Sequence, residues 1–217
     1  MRIVIAGGHG QIALLTLRRL AEAGHEGIGI VRNPGHLADL EEAGGGGVVQ
    51  DLETASAGDV AKILAGADAL VFAAGAGPGS GTARKGTVDR GAAVLCAEAA
   101  EAAGVRRFVQ VSSPGAGAPP RPGTDEVWAA YIEAKTAAED DLRARDLDWT
   151  ILRPGALTNA PATGRVLLSD PPVGLAEVTR DDVAAVLVAL LDAPASHRRT
   201  LELREGDVPV AEAVAAL

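Results

Sequence analysis

Cysteine is almost missing from this chain of 217 residues, where Cys96 stands alone. A single thiol forms no intrachain disulfide, which fits a reducing, cytoplasmic setting. Aromatic residues are nearly as scarce, at 2%, and Tyr131 is the only tyrosine. Lysine occurs three times among the 20 basic residues, at Lys62, Lys85 and Lys135. Long hydrophobic runs are lacking: a membrane span needs roughly 18 apolar residues, and Val183 to Leu191, the longest helical candidate, is about half that, so no membrane partner is expected. The first predicted strand begins at Arg2, directly after the initiator, which leaves no room for a signal or transit peptide. Positive charge is in deficit, with a formal net charge of −9. That balance argues against a general nucleic-acid binder, because phosphate neutralisation supplies most non-specific affinity; a local basic pocket for a small anion stays open. The histidines His9, His25, His36 and His197 show no metal-site spacing, so no metal is expected.

What is present is an ordinary globular composition, 47% hydrophobic and 23% charged, in a length that suits one domain. Short continuous apolar runs at Ile3 to Ala6, Ile28 to Val31, Ala69 to Ala73, Phe108 to Val111 and Trp149 to Leu152 read as strands buried on both faces of a parallel sheet. Helical stripes lie between them. Leu14, Leu17 and Ala21 form one; Val88, Ala92, Leu95, Ala99 and Ala102 form another; Val183, Val186, Leu187, Leu190 and Leu191 form a third. Alternation of this kind predicts α/β architecture with an open, doubly wound parallel sheet. Residues 1–217 read as one domain, with 153–217 a small C-terminal segment contributing the substrate side. Gly44 to Gly47 reads as a flexible approach to a short strand at Val48-Val49. Ser113 to Thr124, rich in Pro and Gly after a strand's carboxyl end, is either a substrate lid or a plain surface connection.

The strand Ile3 to Ala6 runs into Gly7-Gly8-His9-Gly10-Gln11-Ile12-Ala13. At a strand-to-helix turn, Gly7 permits the tight bend and Gly10 lets a pyrophosphate approach the backbone. Ala13 is small enough for the helix to pack on the strand. The first helical turn, from Gln11 and Ile12, offers free N–H groups and partial positive charge to the phosphates. His9 either contacts the cofactor or stays in solvent. The second strand ends at Arg32-Asn33, where this fold meets the adenosine ribose. An arginine there pairs with a 2′-phosphate and an acid would repel it, so NADP(H) is expected over NAD(H). Asp51-Leu52 follows the third strand and is placed to flank the adenine. Ala73-Ala74-Gly75 ends the fourth strand with small residues that leave room for the cofactor. Arg84 and Lys85 either steer an anionic substrate or form a solvated loop face.

Tyr131 and Lys135 lie one helical turn apart on the same face. A neighbouring ammonium favours phenolate over phenol, as acid–base work near neutral pH requires. The strand Phe108 to Val111 delivers Ser112-Ser113 to the sheet's carboxyl edge, where a hydroxyl can orient a substrate carbonyl. The bland alternative is a Tyr131 packed at a helix surface with Lys135 solvated. Cys96 reads as a small core residue.

With these residues in order, the chain resembles the short-chain dehydrogenase/reductase superfamily, in its atypical branch of small NAD(P)-binding Rossmann proteins related to the NmrA-like and epimerase/dehydratase-like groups. Gly104 to Phe108, Leu152 to Gly155 and Thr179 to Ala184 carry the likeness nearly end to end. The resemblance implies that Ser113 polarises the substrate and Tyr131 transfers the proton. It also implies that Lys135 holds the nicotinamide ribose, that Pro154 borders the nicotinamide, and that Asp89 takes the place where many relatives carry an asparagine. The expectation is an NADP(H)-dependent oxidoreductase acting on a small carbonyl or alcohol, as a monomer or homodimer. The alternatives are a non-catalytic NADP(H)-binding sensor, or an epimerase or dehydratase with tightly held cofactor.

Overall fold

The computed structural model describes residues 1–77, 79–119, 123–174 and 176–217. Six parallel strands form the centre: β1 (Arg2–Ala6), β2 (Glu26–Val31), β3 (Gly46–Val49), β4 (Ala69–Phe72), β5 (Arg107–Val111) and β6 (Asp148–Pro154). β1 and β4 are buried almost throughout, as continuous apolar runs predict. Helices α1 (Gln11–Glu22), α2 (Leu37–Glu42), α3 (Ala57–Leu64), α5 (Ala93–Ala103) and α6 (Glu126–Arg143) cross between them, with α4 (Gly81–Arg84) and a π-helical segment (Lys85–Ala92) leading into α5.

The C-terminal part extends the sheet and adds two helices. After β7 (Ala156–Thr158) come β8 (Arg165–Ser169), β9 (Glu177–Thr179), α7 (Arg180–Leu191), β10 (Arg199–Glu205), β11 (Val208–Pro209) and α8 (Val210–Ala215). The sheet order is β11-β8-β10-β6-β5-β4-β1-β2-β3, with β7 and β9 paired separately. β10 joins β6 in parallel, whereas β8 runs antiparallel to β10. The order reverses between β1 and β4, and open α/β sheets place their ligand crevice at the carboxyl ends of such a switch point. This is the doubly wound Rossmann architecture, in a single domain.

Two apolar layers sandwich the sheet. α1 and α7 cover one face through Leu17, Leu20, Val183, Val186 and Leu187. α3, α5 and α6 cover the other through Val60, Leu64, Cys96, Ala97 and Leu142. The α7 stripe is buried as predicted. The α1 stripe is shifted: Ala13, Leu17 and Leu20 are buried, while Leu14 is half-buried and Ala21 exposed. The stripe leading into α5 holds over most of its length: Val88, Ala92 and Ala99 are buried, Leu95 is half-buried, and Ala102, near the end of α5, is exposed.

Gly46 and Gly47 are not a flexible approach but the first half of β3, paired with Ile28 and Gly29. A Cβ at Gly47 would meet Leu37 and Leu40, so glycine lets α2 lie close on the strand.

Candidate functional site

A cleft of about 410 Å³ opens at the switch point. Gly7 sits at its base with φ +82°, and a Cβ there would lie 2.6 Å from the Cα of Ala74. Only glycine fits that bend against the end of β4. Gly10 then caps α1, which starts at Gln11, and the N–H groups of its first turn lack intrahelical acceptors.

The cleft brings together Gly7, His9 and Gly10 from this turn with Arg32 and Asn33 after β2. Asp51 and Leu52 after β3 and Ala73, Ala74 and Gly75 after β4 complete the residues expected there. Gln11, Ile12, Lys135 and Pro154 lie outside this lining. Gln11 faces a second hollow of about 370 Å³ beside Thr158, Asn159 and Arg180. Ile12 packs half-buried on the core, and Pro154 is buried at the end of β6.

His9 is not a loose loop side chain. Its ring stacks on His36 with centroids 3.6 Å apart, and Nε2 lies 2.6 Å from Asp39 Oδ2. Sequence reasoning left His36 with the scattered histidines and missed Glu53 entirely. Glu53 Oε2 accepts from Arg32 Nη1 at 3.0 Å and Arg84 Nη2 at 2.7 Å, while Oε1 accepts from Thr87 Oγ1 at 2.7 Å. These donors hold the Glu53 carboxyl below the usual carboxylate range, Arg84 and Thr87 first through their hydrogen bonds and Arg32 through its charge.

The other end of the site is closed. Tyr131 lies half-buried on α6, tilted against Trp128 with ring centroids 5.2 Å apart. Lys85 Nζ is 5.2 Å and Lys135 Nζ 5.7 Å from the centre of the phenol ring, a distance at which cation and π-face attract. Neither lysine is solvated, contrary to the exposed loop face considered for Lys85. Lys85 is buried and donates to the Gly77 carbonyl at 3.0 Å. Lys135 is buried, donates to the Val111 carbonyl at 3.3 Å, and sits 3.4 Å from Asp89 Oδ1. That last contact pairs the charges without hydrogen-bond alignment, so Oδ1 has no hydrogen-bond partner among the described residues. Asp89 Oδ2 accepts from Ala76 N at 3.2 Å.

Ser112 and Ser113 are both buried at the end of β5 but face different partners. Ser112 Oγ donates to Glu139 Oε1 at 2.6 Å, and Ser113 Oγ donates to the Pro114 carbonyl at 3.3 Å. Glu139, fully buried on α6, also binds Arg153 through Nε at 2.9 Å and Nη2 at 2.5 Å, and Arg143 Nη2 at 2.6 Å. This knot ties the serine-bearing strand to α6 and β6. Residues 120–122 of the candidate lid lie outside the described residues.

The residues fit a dinucleotide. Glycine opens the turn, two guanidiniums stand at the mouth of the cleft, and Asp89 Oδ1, beside the position a Gly75 Cβ would take, is a buried acceptor without a hydrogen-bond donor among the described residues. A Rossmann sheet with this cleft defines a nicotinamide-dinucleotide-binding protein. The chain belongs to the NAD(P)H-binding family, which it matches over residues 7–194. It is 36% identical over the full length of both chains to a Bacillus subtilis protein, YhfK, described as an uncharacterized sugar epimerase. A solved Bacillus halodurans structure, described as an NAD-dependent epimerase/dehydratase, is 36% identical with a TM-score of 0.92, both chains fully covered. The Lactococcus lactis oxidoreductase YlbE is 28% identical with a TM-score of 0.88, covering 100% of this chain and 96% of that one. The chain is thus an NAD(P)-binding protein of the oxidoreductase- and epimerase-like kind. Among the described residues no helix is long and apolar enough to cross a membrane.

Proposed function

We propose that the protein is an NADP(H)-dependent oxidoreductase acting on a small carbonyl or alcohol, with Tyr131 as acid/base. The observation that carries this reading is the approach of both Lys85 and Lys135 to the Tyr131 ring, with Trp128 against it. A bound nicotinamide supplies or accepts the hydride. The chain's own residues manage the proton and the orientation. Two ammonium groups stabilise negative charge on the phenol oxygen as it gives up its proton to a carbonyl oxygen, and Asp89 holds Lys135 in place. Ser113, buried at the adjoining strand end, turns its hydroxyl from Pro114 to the substrate oxygen. Lys135 would hold a ribose hydroxyl of the bound cofactor from the same position, and Pro154 would border its nicotinamide. Arg32 and Arg84 at the open end support the 2′-phosphate preference.

Tyr131→Phe should lower NADPH-dependent carbonyl turnover by about 100- to 10,000-fold while NADPH affinity stays within about threefold. Unchanged turnover would remove Tyr131 from the chemistry. A second reading, epimerisation with the cofactor held throughout, draws on the relatives described as epimerases. It requires turnover of a hydroxylated substrate without net oxidation of added NADPH.

A further inference from the structure

The ion cluster at the mouth of the cleft has an odd composition for an anion site. Arg32, at the end of β2, and Arg84, at the end of α4, stand 52 positions apart in sequence, yet both donate to one oxygen of Glu53. Thr87 fills the second oxygen. The Glu53 backbone N–H in turn donates to Asp51 Oδ1 at 3.0 Å, which fixes the turn that presents the carboxylate. Two guanidiniums and a hydroxyl converging on a small region are a donor set that suits a phosphate group. Here a carboxylate of the protein takes that seat. The seat lies at the rim: the Arg32 side chain is 57% exposed and Arg84 38%. Ion pairs in such surroundings exchange partners readily, because water and salt compete with them.

We propose that Glu53 sets the cofactor selectivity of the adenosine end by occupying the phosphate seat itself. This rests on the reading of Arg32 as the residue facing the ribose 2′-position. A 2′-phosphate must displace the Glu53 carboxylate to reach Arg32 and Arg84, and binds against its remaining charge. A ribose with a free 2′-hydroxyl leaves the carboxylate in place and donates to it. Glu53 therefore narrows the preference for 2′-phosphorylated cofactor that the two arginines alone would create. Arg32, Arg84 and Glu53 together carry one net positive charge; without Glu53, both guanidiniums face the incoming dianion unopposed at that seat.

The test uses fragments that need no nicotinamide and no turnover. Adenosine 2′,5′-bisphosphate and 5′-AMP are titrated calorimetrically into wild type, Glu53→Gln, Glu53→Ala and Arg32→Ala. Both Glu53 variants should bind the bisphosphate at least about tenfold more tightly than wild type, since one opposing unit charge beside a dianion has been removed, and 5′-AMP about equally or several-fold more weakly, since its 2′-hydroxyl loses an acceptor. Arg32→Ala should lose bisphosphate affinity selectively. A ratio of the two affinities unchanged or lowered in Glu53→Gln and Glu53→Ala overturns the role of Glu53. If wild type still favours the bisphosphate in that case, the 2′-phosphate reading survives and only the Glu53 proposal fails. If wild type binds neither probe, or Arg32→Ala leaves the ratio untouched, the reading beneath it fails too.

Discussion

The two ends of the site hold their charges by opposite means. At the open end, Arg32, Arg84 and Glu53 meet in partial contact with solvent. At the tyrosine end, Lys135 and Asp89 are buried together, and Glu139 is wholly buried beneath two arginines. An exposed ion pair contributes about 0–1 kcal/mol because water solvates either partner when the other leaves. A buried charge without its partner has no such recourse, and breaking the pair costs about 3–5 kcal/mol. The open end can therefore trade partners with a ligand, whereas the closed end is bound up with the stability of the fold.

Removing the same residue type at each end breaks the comparison most directly. Glu139→Ala strands Arg153 and leaves Ser112 without its acceptor, and should lower unfolding free energy by about 3–5 kcal/mol in urea. Glu53→Ala should cost less than about 1 kcal/mol in the same assay. Similar losses at both positions would mean that burial does not separate the two ends.

A smaller effect is expected at Lys135, where the ion pair lacks hydrogen-bond alignment. Lys135→Met leaves Asp89 charged and buried, at an expected cost of about 2 kcal/mol. Adding Asp89→Asn should recover at least half of it, because the stranded charge disappears with its partner. A double-mutant cycle in thermal or urea unfolding measures this coupling; additive losses would show that the pair is not an energetic unit.

The open end is also the more legible in sequence. Its glycines, Arg32 and the strand-end residues sit within a few positions of strands whose unbroken apolar runs announce burial on both faces. Glu53 escaped because its partner Arg84 lies 31 residues on, and no local pattern marks a residue for a contact at that separation. At the closed end the pair Tyr131 and Lys135 could be read from helical spacing. The burial of Lys85 could not, since it depends on the reach of its side chain to the Gly77 carbonyl. One strand end delivers both serines, but neighbouring residues past a strand point apart, so Ser112 turns to Glu139 and Ser113, the one the family likeness selects, does not. The C-terminal strands were missed for a related reason. β8 and β10 bury only alternate residues, Val166 and Leu168 in one and Leu201 and Leu203 in the other, which dilutes the apolar run that marked the parallel strands. Gly155 was read only as part of a family-like segment, yet a Cβ there would collide with the Ala176 carbonyl oxygen.

A smaller loss than those at the closed end tests whether the open end is braced from outside the cleft. Ser56 caps α3 just after the segment that carries Asp51, Leu52 and Glu53. Its Oγ accepts from Asp59 N at 3.2 Å and donates to Asp59 Oδ2 at 2.6 Å, while Lys62 Nζ donates to Oδ1 at 3.1 Å. The Ser56 hydroxyl first, and Lys62 second, pull the Asp59 carboxyl down from 3.8 to about 2. A carboxyl made more acidic by folding contributes stability above its unfolded value and loses it as the pH falls through its folded one. The contribution is thus intact at pH 5 and above, and fades between about pH 4 and pH 2. Ser56→Ala should cost about 1 kcal/mol at pH 7, a fall in melting temperature of roughly 2–4 °C. That difference should shrink as melting is followed from pH 5 towards pH 2.5, because wild type loses there what the variant has already lost. A constant difference across the range would leave the backbone hydrogen bond from Asp59 N as the whole of the cap, with the carboxylate contributing nothing.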